Sequence, residues 1–294
     1  MEVGCLARRP IQPPMESLTD SIYHPRTADH TGSGSRGRSV LNWTYDINFF
    51  VLAWVTIVLI MGSAELGAWL GRNGRASDEA DISTLTGATL GLLALLLGFS
   101  FSLALSRFDA RQNLVLEEAN AIGSTANFAL MLPETAQKPV LGMLREYAAV
   151  RIGLGVPYGR SKLEGDIARS LDLQARLWQQ AVTVSAIAPQ SLSVNRFVTS
   201  LNEINNLHES RLTALRYQVP AEVMFMLMGV AMAAMVLTGY HAGARGTRGR
   251  IAASMMSLMV AAVIMLIVDL DRPARGLINV SVQPLVDAAQ GIPQ

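Results

Sequence analysis

Apolar residues along this chain are concentrated in four blocks, each near the length of a helix that crosses a membrane. The blocks run from Asn48 to Leu70, Leu85 to Ser106, Val223 to Tyr240 and Ile251 to Val268. At a rise of about 1.5 Å per residue, roughly 20 residues cross a hydrocarbon layer of about 30 Å. Aromatic residues also fall near the block ends, as at membrane interfaces: Trp43, Trp54, Trp69 and Tyr240. The pattern predicts four membrane spans.

Between the second and third blocks the pattern becomes that of soluble helices. Helical periodicity predicts helices over 107–131, 134–154, 163–188 and 193–217, separated by proline or glycine. One helical face of 163–188 carries Ile167, Leu171, Trp178 and Val182. No run alternates in the manner of a strand. The predicted fold is all-α: a four-span membrane helical protein with a helical soluble domain inserted between spans two and three.

This fold divides the sequence into five parts. Residues 1–40 are rich in Pro, Ser, Thr, Gly and Arg and are predicted to be a disordered tail. Residues 41–106 hold spans one and two, 107–219 form the soluble domain, 220–270 hold spans three and four, and 271–294 are a carboxyl-terminal segment. Eight basic residues flank the membrane on the side of the large domain and five on the other, so the positive-inside rule predicts a cytoplasmic domain and termini. The basic loop HAGARGTRGR, at 241–250, argues the other way.

Composition and motifs narrow the range of possible functions. Half of the residues are hydrophobic, 16% are charged and the net charge is +1, which indicates a lipid bilayer and no nucleic acid as partner. The single cysteine excludes an intrachain disulfide framework. None of the four histidines belongs to a cluster with metal-ligand spacing, and no nucleophile elbow or phosphate-binding loop occurs. We therefore expect no catalytic site, no metal and no cofactor, and we do not expect an enzyme.

One face of span two is the main candidate site. On a helical wheel the residues Gly91, Leu95, Phe99, Ser102 and Ser106 share a face. This face could line a pore with an apolar neck, or it could be a helix-packing face, because small residues such as Gly87 and Gly91 let membrane helices approach closely.

Charged residues at the membrane boundary form two further candidate sites. Arg107 and Arg111 follow span two one turn apart and could crown a pore exit, or simply anchor the helix at the interface. Asp269, Asp271 and Arg272 end span four, and carboxylates at that depth require partners, so we expect a membrane-interface clamp with Arg107 or Arg111.

Two polar features of the soluble domain remain, one helix face and one histidine. Glu117, Glu118 and Asn120 form a polar helix face, which is typically solvated or ion-paired. His208 is interpreted as a polar position in a seam between helices.

The stretch Leu97 to Phe108, LGFSFSLALSRF, resembles the pore helix of the bestrophin anion channels. More of the chain resembles the bacterial bestrophin-like family of unknown function, through LLGFSFSLALSRFDAR, EEANAIGS at 117–124, LREYAAVR at 144–151 and DLDRPARGLINVSVQPL at 269–285. The resemblance implies a pentamer of four-span subunits in a bacterial inner membrane, with the apolar neck at Gly91, Leu95 and Phe99. Gly91 stands where the channels have a bulky neck residue, and calcium gating is not implied.

Two hypotheses follow. The first is an oligomeric channel for small ions, with Leu95 and Phe99 as the constriction, Ser102 and Ser106 beyond it, and Arg107 and Arg111 at the exit. The second is a non-conducting membrane scaffold or sensor whose helical cytoplasmic domain binds a partner.

Overall fold

A computed structural model describes residues 49–72, 79–154, 160–216, 219–244, 246–272 and 277–293. The predicted tail, residues 1–40, lies outside them. The described residues form eight helices: α1 (Phe49–Gly71), α2 (Glu79–Ala129), α3 (Glu134–Gly153), α4 (Arg160–Ile187), α5 (Leu192–Arg216), α6 (Ala221–Ala244), α7 (Gly246–Asp271) and α8 (Gln283–Gly291). None of these residues is in a strand, and the all-α prediction is confirmed.

Four of the helices, α1, α2, α6 and α7, are long and apolar enough to cross a membrane. The bounds of α1, α6 and α7 lie within about five residues of their apolar blocks, whereas α2 begins six residues before its block and ends 23 residues after it. Helix α7 begins at Gly246, which has a φ of 70°. Glycine adopts that left-handed conformation without steric cost, so it suits the sharp junction after α6.

Helix α2 joins the two parts of the protein. It is 51 residues long, which corresponds to about 75 Å. Its membrane half, residues 85–106, packs Leu93 and Ala104 into an apolar core with residues of α1, α6 and α7. Its soluble half, residues 107–129, packs Val115 and Ile122 into a second core with α3, α4, α5 and α8. One rigid element therefore belongs to both cores.

Helices α1 and α6 pack at very short range through glycines. A Cβ atom at Gly67 or Gly71 would overlap the carbonyl oxygen of Val236 or Tyr240 on α6. Reciprocally, a Cβ atom at Gly239 would overlap the carbonyl oxygen of Ala64 on α1. Small residues spaced four apart allow this backbone approach in membrane helices. An ion pair between Glu65 Oε2 and Arg250 Nη2, 2.7 Å apart, links α1 to α7 nearby.

Candidate pore face and charged junction

The five residues predicted to share a face of span two do lie on one exposed face of α2. The side chains of Leu95 and Phe99 are 55% and 66% exposed, and Gly91, Ser102 and Ser106 are exposed as well. The opposite side of the helix, with Leu93, Ser100 and Ala104, is buried against the rest of the membrane part. We call the exposed set, Gly91, Leu95, Phe99, Ser102 and Ser106, the open face.

The glycines of this helix make no close packing inside the subunit. A Cβ atom built at Gly87, Gly91 or Gly98 would find no described atom within 4 Å. Helix packing was the alternative interpretation of these small residues, and within one chain that role falls instead to the glycines of α1 and α6. The open face is therefore available to lipid, water or another copy of the chain.

The four residues predicted at the exit divide between two sides of α2. Ser102 and Ser106 belong to the open face. Arg107 is half-buried, and Arg111 is buried with Nη2 donating a hydrogen bond to the carbonyl oxygen of Leu270 at the end of α7. The Arg111 guanidinium thus lies at the junction between α2 and α7 and not on the open face.

Asp269, Asp271 and Arg272 are all buried at this junction. The Asp269 carboxylate accepts hydrogen bonds from the backbone N–H groups of Leu277 (2.8 Å) and Ile278 (2.9 Å). The Asp271 carboxylate accepts one from the backbone N–H of Val219, with N–O distances of 3.0 and 3.2 Å. These contacts join the end of α7 to the segment that follows it and to the start of α6. Asp271 also interacts electrostatically with Arg107 and Arg111.

A second polar cluster lies in the centre of the soluble part, around Glu118 of α2. Glu118 Oε1 accepts hydrogen bonds from Tyr147 Oη (2.9 Å) and Arg151 Nε (2.6 Å) of α3. Glu118 Oε2 accepts from Arg151 Nη2 (3.3 Å) and from Arg211 Nη1 of α5. The Arg151 contact is thus bidentate, the geometry that a guanidinium and a carboxylate prefer. We call these residues, together with His208 and Gln174, the Glu118 cluster.

The remaining members connect the cluster to the other helices. Arg151 Nη1 lies 3.1 Å from His208 Nδ1 of α5, and Gln174 Nε2 of α4 donates to Tyr147 Oη at 3.3 Å. An arginine can only donate, so His208 Nδ1 accepts and the proton of the neutral ring is on Nε2. All four long helices of the soluble part therefore meet at one charged, buried point.

Burial sets the protonation states in this cluster. Burial lowers the pKa of His208 to about 4, and the positive charge of Arg151 contributes to the same shift. Burial also raises the pKa of the Tyr147 hydroxyl, with a further contribution from the negative charge of Glu118. At neutral pH the histidine is neutral and the tyrosine is a protonated donor. The cluster thus holds fixed charges on Glu118, Arg151 and Arg211 only.

The sequence indicated only part of this cluster. Glu118 and His208 were noticed as polar positions, whereas Tyr147, Arg151 and Arg211 were not assigned to a site. A usable signal was the spacing of Tyr147 and Arg151, which places both on one helix face, and the position of Arg211 three residues after His208. Among the described residues, no group of three or more His, Cys, Asp or Glu side chains is arranged to hold a metal ion.

The chain has four membrane-length helices, and the second of them continues into a helical domain inserted between the second and the third. This arrangement defines a class of integral membrane protein. The sequence of residues 51–285 matches the Bestrophin-like domain, and the chain belongs to this family. The resemblance noted in the sequence is thereby confirmed.

Solved structures show the same fold. A point variant of a bacterial Bestrophin homolog from Klebsiella pneumoniae superposes with a TM-score of 0.64 at 13% identity, covering 83% of this chain and 96% of that one. Another structure of a Klebsiella pneumoniae Bestrophin homolog gives a TM-score of 0.61 at 15% identity, with 82% and 94% covered. No curated protein matches the chain. At these identities the likeness concerns the fold.

Proposed function

We propose that this chain is the subunit of an oligomeric ion channel in which the open face of α2 lines the conducting path. The observation that carries the proposal is the composition of that face. Two large apolar side chains, Leu95 and Phe99, stand between glycines on one side and serines on the other, and none of this face is used for packing inside the subunit. Serine hydroxyls and bare glycine backbone gain nothing from lipid, whereas they suit a water-filled passage.

The neck would work by excluding water. When copies of α2 surround an axis, Leu95 and Phe99 form two apolar rings about one turn apart, and a narrow apolar ring resists filling by water. An ion crossing it loses part of its hydration shell. Gly91 would leave a wider chamber before the neck, and Ser102 and Ser106 would offer hydroxyls after it. Arg107 and Arg111 would act from beside the exit, by their charge.

Assembly would bury a second exposed surface. Helix α4 carries Leu171, Trp178 and Val182 on its exposed face, with Trp178 still 38% exposed. The resemblance to the bestrophin channels suggests a pentamer, and this apolar stripe is a suitable contact between neighbouring copies. We place the assembly in a bacterial inner membrane with the soluble part in the cytoplasm, in keeping with the positive-inside count.

Flux through liposomes tests the channel. We expect the purified wild-type protein to release trapped ions, and Phe99→Ala to raise the flux severalfold because it removes the larger ring. Phe225→Ala is the matched control, since Phe225 lies on α6 and is 68% exposed, close to the value for Phe99. Absence of wild-type flux at every potential and pH would refute the proposal, and so would an equal effect of the two substitutions.

The alternative is a non-conducting scaffold or sensor whose soluble part binds a partner protein. The exposed apolar stripe of α4 favours it equally, because a partner could cover that stripe. The mass of the detergent-solubilised protein, measured by light scattering, separates the two. A monomer or dimer leaves no axial path and supports the scaffold, whereas a pentamer supports the channel.

A further inference from the structure

A small cavity lies just beyond the membrane half of α2, between that helix, α5 and the segment that follows α7. It has a volume of about 50 Å³, several times the 10–15 Å³ or so that one water requires. Three arginines, Arg111, Arg211 and Arg272, line it together with Ala214 of α5, the polar residue Asn279 and apolar residues of the segment 278–282. Each of the three arginines is at least nine-tenths buried. The cavity is therefore enclosed mainly by apolar groups and positive charge.

Two hydrogen-bond donor atoms of Arg111 are not used by any described residue. Its side chain is only 6% exposed, and Nη2 is used by the carbonyl of Leu270. Its Nε and Nη1 atoms are buried and have no hydrogen-bond partner among the described residues. Buried charged donors are costly when they are not satisfied, and native structures satisfy most of them. Two unused donors on a residue that lines a cavity point to an acceptor within it.

The charges around the cavity do not balance. The junction and the Glu118 cluster together bury four arginines, Arg111, Arg151, Arg211 and Arg272, against three carboxylates, Glu118, Asp269 and Asp271. The half-buried Arg107 adds one more positive charge. Buried charges in proteins are normally paired, so the buried groups of the described residues leave an excess of positive charge here.

We propose that this cavity binds a phosphate group, held by Arg111 together with Arg211 and Arg272. A guanidinium presents its donors as a planar fork that matches two oxygens of a phosphate, and several forks can share one tetrahedral anion. The cavity also lies just beyond the membrane half of α2, and basic pockets between helices at the end of a membrane span are known to bind phosphate headgroups. The group can come from a phospholipid headgroup or from free phosphate. Its binding would join α2, α5 and the end of α7.

Thermal unfolding of the full chain in a phosphate-free maltoside detergent provides the test. Sodium phosphate replaces chloride at constant ionic strength, and calorimetric titration measures binding directly. We expect the wild-type midpoint to rise with phosphate concentration, because a ligand that binds only the folded state stabilises it. Arg111→Gln should weaken binding by about tenfold or more, since two charge-assisted hydrogen bonds are lost.

Two further variants keep the test decisive if Arg111→Gln does not fold. Ala214→Met extends an uncharged side chain into the cavity and should abolish phosphate binding while all arginines remain. Arg176→Gln removes an exposed arginine of α4 and should bind phosphate as the wild type does.

Native mass spectrometry distinguishes a phospholipid headgroup from free phosphate as the source of the group. A phospholipid that is retained by the wild type and lost in Ala214→Met identifies the headgroup. If the wild type retains no lipid and binds no free phosphate, or if Ala214→Met behaves as wild type, the proposal is wrong. Conduction is not needed for any of these measurements.

Discussion

The two halves of helix α2 differ in how much of their surface is buried inside the subunit. The membrane half buries one side and leaves the open face, with Leu95 and Phe99 exposed and the glycines without neighbours. The soluble half places Glu118 at a point where three other helices converge, and its carboxylate is fully buried. The continuous helix between them has no break at which the halves could move independently. We infer that the soluble half holds α2 in place so that the membrane half can present a face that packs against nothing in its own subunit.

The largest expected effect on stability comes from removing the negative charge of Glu118 in the soluble half. Glu118→Gln keeps the shape of the side chain but leaves Arg151 and Arg211 buried without a counter-charge. Removal of one partner from a buried ion pair costs about 3–5 kcal/mol. We expect a clear drop in the midpoint of thermal unfolding of the detergent-solubilised protein, followed by circular dichroism.

The neighbouring residue provides the control for that experiment. Glu117 is exposed, so Glu117→Gln should change the free energy of unfolding by less than about 0.5 kcal/mol. Equal midpoints for the two variants would show that the Glu118 cluster does not hold the soluble half together.

A second prediction concerns the pH dependence of the same half. The pKa of His208 is about 4 in the folded protein and about 6.5 in an unfolded chain. Above pH 6.5 neither state is protonated, and the full stability is present. Between pH 6.5 and about 4 only the unfolded state binds the proton, so stability falls by about 1.4 kcal/mol per pH unit as the pH decreases. We therefore expect the cluster to lose about 2 kcal/mol between pH 6.5 and pH 5.

Other acidic groups titrate in the same range, so the comparison needs a variant. His208→Asn retains an acceptor near the position of Nδ1 but cannot be protonated. The difference in unfolding free energy between wild type and His208→Asn should decrease as the pH falls from 6.5 to 5. A difference that is constant over this range would mean that His208 titrates normally in the folded protein.

Much of the fold could be predicted because long apolar runs and helix breakers are local signals. The predicted helices agree with α3, α4 and α5 within about three residues at each end.

The pattern in the sequence did not show which side of α4 packs inside the chain. Ile167, Leu171, Trp178 and Val182 do share a side, but Leu171, Trp178 and Val182 are exposed, whereas Leu173, Leu177, Ala181 and Val184 are buried. This helix carries two apolar stripes, and periodicity cannot tell which of them packs inside the chain.

The charged sites were harder to predict for a different reason. Glu118 meets Arg151 across 33 residues and Arg211 across 93, and no local pattern specifies such a pairing. Likewise, Arg111 was expected at a pore exit because it follows span two, yet a helix turns about 100° per residue and its position faces α7. In its sequence context Arg111 does not differ from an ordinary basic anchor at a membrane boundary.

The smallest expected effects distinguish the packed glycines from the open ones. A methyl group at Gly239 would overlap the carbonyl oxygen of Ala64, so Gly239→Ala must push α1 and α6 apart. Overpacking of this kind costs about 1–3 kcal/mol. Gly91→Ala meets open space, and alanine is a better helix former by up to about 1 kcal/mol, so the unfolding midpoint should stay the same or rise slightly. Thermal unfolding of the two variants side by side measures the difference.

The same Gly91→Ala variant then tests what covers the open face in the assembly. If copies of α2 pack tightly against each other there, the added methyl groups collide and the mass of the detergent-solubilised oligomer falls. If the face borders water, the mass is unchanged and only the ion flux decreases, because the passage beside Gly91 becomes narrower. A lower mass at Gly91 with an unchanged mass for Phe99→Ala would assign the glycine to packing and leave the neck to the two apolar rings alone.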